Sequence, residues 1–391
     1  YGDIKSTTPT SVTFTTRSNI NFGISSFALP DTNFFRAGNL FGFEVVNGVA
    51  YVGSLENDSI NIVIRSYNLS TGAHIATATV SSSNSISFSS VSMTSALIGS
   101  TGQIFLQFND NIGTGTVYVN CFASTLGLPI ASASISGGAL GYDESQLVYA
   151  DNRLFSAATR YDISQPPYYA STDLMYFDSP TTTGGLSAPQ IFFNKTDVNR
   201  SFGAGGVGMM NAKIAADANS LYLAIASYTT MPMEPGTIDV KRFAFSNLAN
   251  PVNIKTIDTN NTSMAPAIEQ LAVDGGRLYM IADASGNKHF HINLQTGYAE
   301  DFSWFNRGNY GVDGKGRAWL AQTSIAGNNF IQLDSSMKVE KYLPVKYFAA
   351  LNSSHPVPGE FIKTDKATGN FYMLHYNNDE NLAVYSYPAS Y

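Results

Sequence analysis

A short phrase returns seven times along this chain: apolar, aromatic, apolar and usually a small residue, shortly after a turn. The copies are Ala50-Tyr51-Val52-Gly53, Ile104-Phe105-Leu106, Leu154-Phe155-Ser156-Ala157, Leu221-Tyr222-Leu223-Ala224, Leu278-Tyr279-Met280, Ala318-Trp319-Leu320-Ala321 and Phe371-Tyr372-Met373. Ahead of them stand Asn47-Gly48, Thr101-Gly102, Asp151-Asn152, Asp217-Ala218-Asn219, Asp274-Gly275-Gly276, Asp313-Gly314-Lys315-Gly316 and residues 365–369. Asn, Asp and Gly tolerate the left-handed backbone of tight hairpins. Val148, Ile214, Leu271, Tyr310 and Ile362 lie three places before a turn Asp and put a short apolar strand there. Each copy therefore reads as strand, tight turn, strand, with the aromatic residue on the second strand.

A third strand follows, as at 60–69 before Ser70-Thr71-Gly72 and at 289–294 before Gln295-Thr296-Gly297. A fourth follows in turn, as at 75–80 and 129–135. A recurring unit of about 40–50 residues built from short strands is the signature of a propeller blade. The sequence thus predicts an all-β, seven-bladed β-propeller, with residues 1–391 as one domain, because a ring of repeats forms a single unit. The last repeat runs out of chain after a strand at 381–387. Its missing outer strand is expected from the N-terminal segment 10–17, where Val12 and Phe14 alternate with Thr13 and Thr15. Such a closing strand joins the chain ends and covers edges that would otherwise template aggregation. The alternative is that this strand pairs with a neighbouring molecule. Segments 18–38 and 163–208 exceed the frame. The second is read as an insertion displayed on one face of the ring, where ligands bind.

Composition narrows the function. Charged residues are 13% of the chain, against about 25% in typical domains. Low surface charge weakens colloidal repulsion and favours association. A net charge of −7 offers no basic patch for phosphates, which excludes nucleic acid. Cys121 is the one cysteine, so no intrachain disulfide can form, and its strand-like surroundings predict a buried, inert thiol. No apolar run approaches the ~18 residues of a helical membrane span. The chain starts at Tyr1, which fits a processed, exported protein. Sequons occur at Asn57, Asn68, Asn194, Asn199, Asn260, Asn261 and Asn352, a number that abundant Asn, Ser and Thr supply unaided.

Two repeats carry a family resemblance. Leu271-Ala272-Val273-Asp274-Gly275-Gly276-Arg277-Leu278-Tyr279-Met280-Ile281-Ala282-Asp283 and Val312-Asp313-Gly314-Lys315-Gly316-Arg317-Ala318-Trp319-Leu320 resemble blades of the NHL and streptogramin-lyase type. The resemblance implies blade architecture alone. The lyases' catalytic His and Glu pattern has no counterpart here, so no residue roles carry over. Sialidase-type Asp-boxes and repeated Trp-Asp pairs are absent, and two tryptophans are too few for quinoprotein-type docking.

His289-Phe290-His291 is the most ligand-like feature, since residues i and i+2 of a strand share a face and both imidazoles could meet one metal ion. His375 or Asp283 would have to complete that site, and two partly exposed strand histidines are the plainer expectation. Glu44, Glu269 and Glu360 fall on or near first strands, which line a propeller's central channel, either as catalytic acids or as solvated channel residues. Tyr161, Tyr168, Tyr169 and Tyr176 cluster around the long insertion, and tyrosines stack on sugar rings or partner proteins. Phosphate-loop, Gly-x-Ser-x-Gly and EF-hand signatures are absent.

These features predict a secreted or cell-surface module that binds or builds rather than catalyses, with no cofactor. Its expected partner is another copy of itself, a surface protein or a glycan. The alternative is an extracellular carbohydrate-active lyase or hydrolase with acids at the channel mouth.

Overall fold

In the computed structural model of the chain, every anchor aromatic lies on the second strand of a four-stranded antiparallel sheet. The structure describes residues 25–29, 40–56, 60–82, 88–110, 116–136, 144–162, 168–178, 180, 185–199, 211–227, 236–259, 267–274, 276–283, 287–301, 308–312, 318–324, 327–333, 339–344, 362–365, 368–376 and 382–387. For some of these, Trp319 among them, it describes the backbone alone. Among the described residues there is no helix.

Among the described residues the strands form seven sheets. After β1 (Ser25–Ala28), the first sheet holds β2 (Leu40–Val46), β3 (Val49–Glu56), β4 (Asn61–Asn68) and β5 (His74–Ser81). The second holds β6 (Phe88–Ile98), β7 (Thr101–Asp110), β8 (Thr116–Ala123) and β9 (Ala131–Ser136). The third holds β10 (Glu144–Ala150), β11 (Arg153–Asp162), β12 (Tyr168–Asp178) and β13 (Gln190–Asn199). The fourth holds β14 (Asn211–Ala216), β15 (Ser220–Ser227), β16 (Thr237–Ala244) and β17 (Asn247–Asp258). The fifth holds β18 (Ala267–Asp274), β19 (Arg277–Asp283), β20 (Asn287–Asn293) and β21 (Ala299–Asp301). The sixth holds β22 (Gly308–Val312), β23 (Ala318–Ser324), β24 (Gly327–Leu333) and β25 (Val339–Pro344). The last combines β26 (Ile362–Thr364), β27 (Phe371–Tyr376) and β28 (Leu382–Tyr387) with β1.

The turn chemistry explains the hairpins. Asn47 and Gly48 have φ of 54° and 75°, and Asp151 and Asn152 have 47° and 54°. Positive φ at both central residues is the two-residue turn whose twist matches that of the strands it joins. In the Thr-Gly turns, Asn68 Oδ1 accepts from the backbone N–H of Ser70 at 2.9 Å and of Thr71 at 3.1 Å. Asn293 accepts from Gln295 at 3.0 Å and Thr296 at 3.1 Å in the same way. Asp217 takes the backbone N–H of Asn219 and Ser220 on one oxygen, and the hydroxyl of anchor Tyr222 on the other at 2.8 Å.

Packing between sheets follows from alternation along each strand. Tyr51 packs with Ile62 and Ile64 against Met93, Ile104 and Leu106 of the second sheet. Its hydroxyl also donates to the Ser124 carbonyl beyond β8, at 3.0 Å. The next residue, Val52, faces the other way and packs with Phe43 against Tyr372 and Leu374 of the last sheet. Phe105 meets Leu147, Leu154 and Phe177 of the third sheet. Phe155 meets Ile214, Leu221 and Leu223 of the fourth, and Tyr222 meets Leu271, Leu278 and Met280 of the fifth. The first strands touch in the order β2, β6, β10, β14, β18, β22, β26, and β26 returns to β2. Each buried aromatic contributes roughly 1.5–3 kcal/mol.

Two expectations change. The strand beside β28 is Ser25–Ala28, in register with Ala383 to Ser386. Residues 10–17, expected in that place, lie outside the described ones. Much of segment 163–208 is not an addition to the frame, because Tyr168–Asp178 and Gln190–Asn199 are the third and fourth strands of their own sheet.

Phe155 is fully buried and packs on Phe245 with ring centroids 5.5 Å apart. Phe155→Ala is expected to lower unfolding free energy by about 3–5 kcal/mol, and Phe155→Leu by less than ~1.5 kcal/mol. Urea titration of both variants checks this, and a loss under ~1 kcal/mol for alanine would contradict the packing role.

Candidate functional site

Register defines one position per first strand, directly opposite the anchor. Its occupants are Glu44, Thr94, Val148, Ala215, Ala272, Gly311 and Lys363. Two of them carry charge, and these fall in the first and last sheets. Lys363 Nζ lies 2.7 Å from Glu44 Oε1. Ser95 of the second sheet donates to Glu44 Oε2 at 2.8 Å. One carboxylate thus ties three sheets together. Two further stitches use amides: Gln146 Oε1 accepts from the Ile214 N–H at 2.7 Å, and Asn211 Oδ1 accepts from the Ile268 N–H at 2.9 Å.

Between these strands lies a cavity of about 220 Å³, lined by Phe43, Glu44, Met93, Leu147, Ile214 and Lys363 among others. Drug-sized ligands occupy about 300–1,000 Å³, so this space suits something smaller. Glu44 was expected in solvated surroundings if it was not catalytic. It is 7% exposed, because both oxygens are drawn into contacts between sheets. Glu269 lies at a bulge of β18, between Ile268 and Gln270, and its backbone alone is described. Glu360 lies outside the described residues.

The four tyrosines do not share one location. Tyr161 pairs with Ala170, and Tyr168 and Tyr169 begin β12, all at one end of the hairpin, where the backbone alone is described. Tyr176 pairs with Phe155, about 20 Å further along the strand. It is half-buried, donates to Gln190 Oε1 at 2.7 Å, and carries the Arg153 guanidinium 5.3 Å from its ring centre. That places Tyr176 in the packing of the third sheet rather than in a patch with the other three.

His289 and His291 both lie on β20, and His291 sits opposite anchor Tyr279 with ring centroids 5.4 Å apart. That packing leaves His291 8% exposed rather than partly open. Burial, with a smaller contribution from Arg277, pushes its pKa down to about 4, so the ring is neutral at pH 7. The side chains of His289, His375 and Asp283 are not described. Among the described residues, no group of three His, Cys, Asp or Glu could hold a metal ion. Cys121 is fully buried and donates to Gln103 Oε1 at 3.3 Å, and burial pushes its pKa up to about 12. No helix in the described residues is long and apolar enough to cross a membrane.

The outer surface shows what the sequence analysis missed. The large hydrophobic residues exposed among the described ones are Ile75, Leu97, Leu128, Ile130, Ile191, Val252 and Tyr298. All but Leu97 lie on, or within three residues of, the outermost strand of a sheet, from the first sheet to the fifth. Outermost strands also present unpaired backbone groups. Lys363 was missed as well, although it holds the same place before Tyr372 that Glu44 holds before Tyr51.

No protein-family model matches the chain, and no curated protein matches it in sequence. Solved structures do resemble it. A puromycin-hydrolyzing peptidase of Mycobacterium tuberculosis is 11% identical, with a TM-score of 0.54 over 93% of this chain and 54% of that one. Prolyl oligopeptidase B of Galerina marginata is 10% identical, with a TM-score of 0.53 over 92% and 50%. A structure described as the Dos1 propeller is 9% identical, with a TM-score of 0.46 over 88% and 76%. The chain spans about half the length of the two peptidases. Such identities show fold alone. Four-stranded antiparallel sheets, set in cyclic order with their first strands together, define the class of this protein: it is a β-propeller.

Two predictions follow from these contacts. Lys363→Met leaves a buried carboxylate without its cation and is expected to cost about 1–3 kcal/mol, against less than ~1 for Glu44→Gln, which keeps a hydrogen-bonding side chain. A double-mutant cycle by urea unfolding measures the coupling, and no coupling would refute the stitch. His291 is neutral when folded but charges on unfolding below about pH 6.5, so its contribution is present above that pH and lost as pH falls towards about 4. His291→Phe should therefore lose less stability than the parent between pH 7 and pH 4.5, as read from urea midpoints.

Proposed function

We propose that this chain is a seven-bladed propeller, closed by residues 25–28, that acts outside the cell or at its surface as a non-catalytic binding or structural module. Its partner is a second copy of itself, engaged through the blade rims. The carrying observation is the placement of Ile75, Leu128, Ile130, Ile191, Val252 and Tyr298 on or beside outermost strands. Low charge supports the same reading, since little repulsion opposes contact between rims. Exposed apolar residues of this kind fit the general use of apolar surface in interaction sites. Against the alternative of a carbohydrate-active lyase or hydrolase stands Glu44, whose two oxygens are engaged by Lys363 and Ser95.

Light scattering of the native protein tests the proposal. The parent is expected to form discrete oligomers or filaments. Ile75→Lys, Ile191→Lys and Val252→Lys combined should return a monomer with unchanged far-ultraviolet circular dichroism. A parent that stays monomeric at high concentration, or a triple variant that still assembles, would refute it.

A further inference from the structure

The first strands meet at the ring's centre, and what they place there is uneven. At the register position opposite the anchor, the last, first and second sheets carry Lys363, Glu44 and Thr94. The third to sixth sheets carry Val148, Ala215, Ala272 and Gly311. Because the first strands follow one another in cyclic order, three neighbouring sheets form a polar arc and the others form an arc of small or apolar residues. The central cavity spans both. Lys363, Glu44 and Thr94 line it from one side, Ala215 and Leu271 from the other, and Gln146 stands at the junction. Solvent reaches the polar residues: the Lys363 side chain is 33% exposed, and Gln146 is half-buried.

Hydrogen-bonding capacity remains on these lining residues. Glu44 gives one oxygen to Lys363 and the other to Ser95, and each carboxylate oxygen can accept twice. Gln146 uses Oε1 on the Ile214 N–H, which leaves its NH2 to donate. Thr94 is 9% exposed, and its hydroxyl has no hydrogen-bond partner among the described residues. Charge, by contrast, is already balanced, because Lys363 and Glu44 pair at 2.7 Å. A charged ligand would be drawn by one of them, repelled by the other, and stripped of hydration on entry. Hydroxyl groups face no such conflict: they can accept from Lys363 or Gln146, donate to Glu44, and do either with Thr94. On the far side, Ala215 and Leu271 offer water nothing to bond, so C–H surface displaces it there with a gain.

The geometry points to a binding site for a single uncharged sugar ring, with its hydroxyl edge on the polar arc and a C–H face on the apolar one. At about 220 Å³ the cavity takes one ring rather than a chain of them. The site lies at the ring's centre, away from the outermost strands, and depends on no contact between copies.

Saturation-transfer difference NMR tests the site, because it reads the sugar and works on monomer and assembly alike. The probes are the methyl glycosides of glucose, galactose and mannose, with the uronate and 2-amino analogue of each as charged controls. Saturable transfer to the ring C–H protons of at least one glycoside is expected, with weaker binding of its charged analogues. Thr94→Val keeps the side chain's shape and should weaken that glycoside's dissociation constant about 3–10-fold without lowering Tm. Ala215→Leu fills the apolar side and should abolish the transfer with unchanged far-ultraviolet circular dichroism. No saturable transfer to any glycoside would overturn the site. So would a charged analogue that binds as tightly, or transfer that both variants leave unchanged, since binding would then lie elsewhere. The triple rim variant should bind the glycoside as the parent does, which separates failure of this site from failure of self-association.

Discussion

One contact recurs through this molecule: the aromatic of a second strand pressed against the next sheet. Tyr51, Phe105, Phe155 and Tyr222 each fill the space between their own sheet and its successor, and Tyr372 does so between the last sheet and the first. A four-stranded sheet has two faces to cover and cannot cover either alone. The anchors solve this pairwise, so no sheet is stable without both neighbours. With one cysteine and no disulfide, the chain has little else to hold its ends in place. The cyclic order of first strands is the consequence of that repeated packing, rather than a separate device.

Inside the ring, hydrogen bonding adds direction to what packing leaves loose. Glu44 reaches Lys363 on one side and Ser95 on the other, while Gln146 and Asn211 each take a backbone N–H of the following sheet. These side chains lie where first strands approach, so a polar atom there must find a partner across the gap or go without one. Most find one. Ser92 on a first strand, and Gln107 and Ser156 on the second strands β7 and β11, do not, and their faces meet between the second and third sheets. At the rim, by contrast, six large apolar residues on or beside outermost strands stand exposed.

The repeat was legible because turn chemistry and the anchor phrase are local. Residues 60–69 read as a strand and fold as Asn61–Asn68, and residues 381–387 fold as Leu382–Tyr387. The chain's own edges were harder. Ser25–Ala28 is four residues long, too short for alternation to mark it, whereas 10–17 alternates well. Tyr168–Asp178 read as insertion because a strand covered on both faces shows no polar alternation, and its Ser171, Thr172 and Asp173 are buried with the apolar residues around them. His291 looked available as a ligand for a similar reason, since nothing in the sequence shows that Tyr279 covers it.

The sequence by itself determined the unit: hairpins at Asn47-Gly48 and Asp151-Asn152, an aromatic on each second strand, and a composition poor in charge. These follow from backbone preference and side-chain alternation, which act over a few residues. The tertiary structure decided which strand completes the last sheet, that Glu44 meets Lys363, and that Gln107 and Ser156 share an interface. Those pairs are separated by whole sheets along the chain. They come together only when each sheet has covered its neighbour and the last has returned to the first.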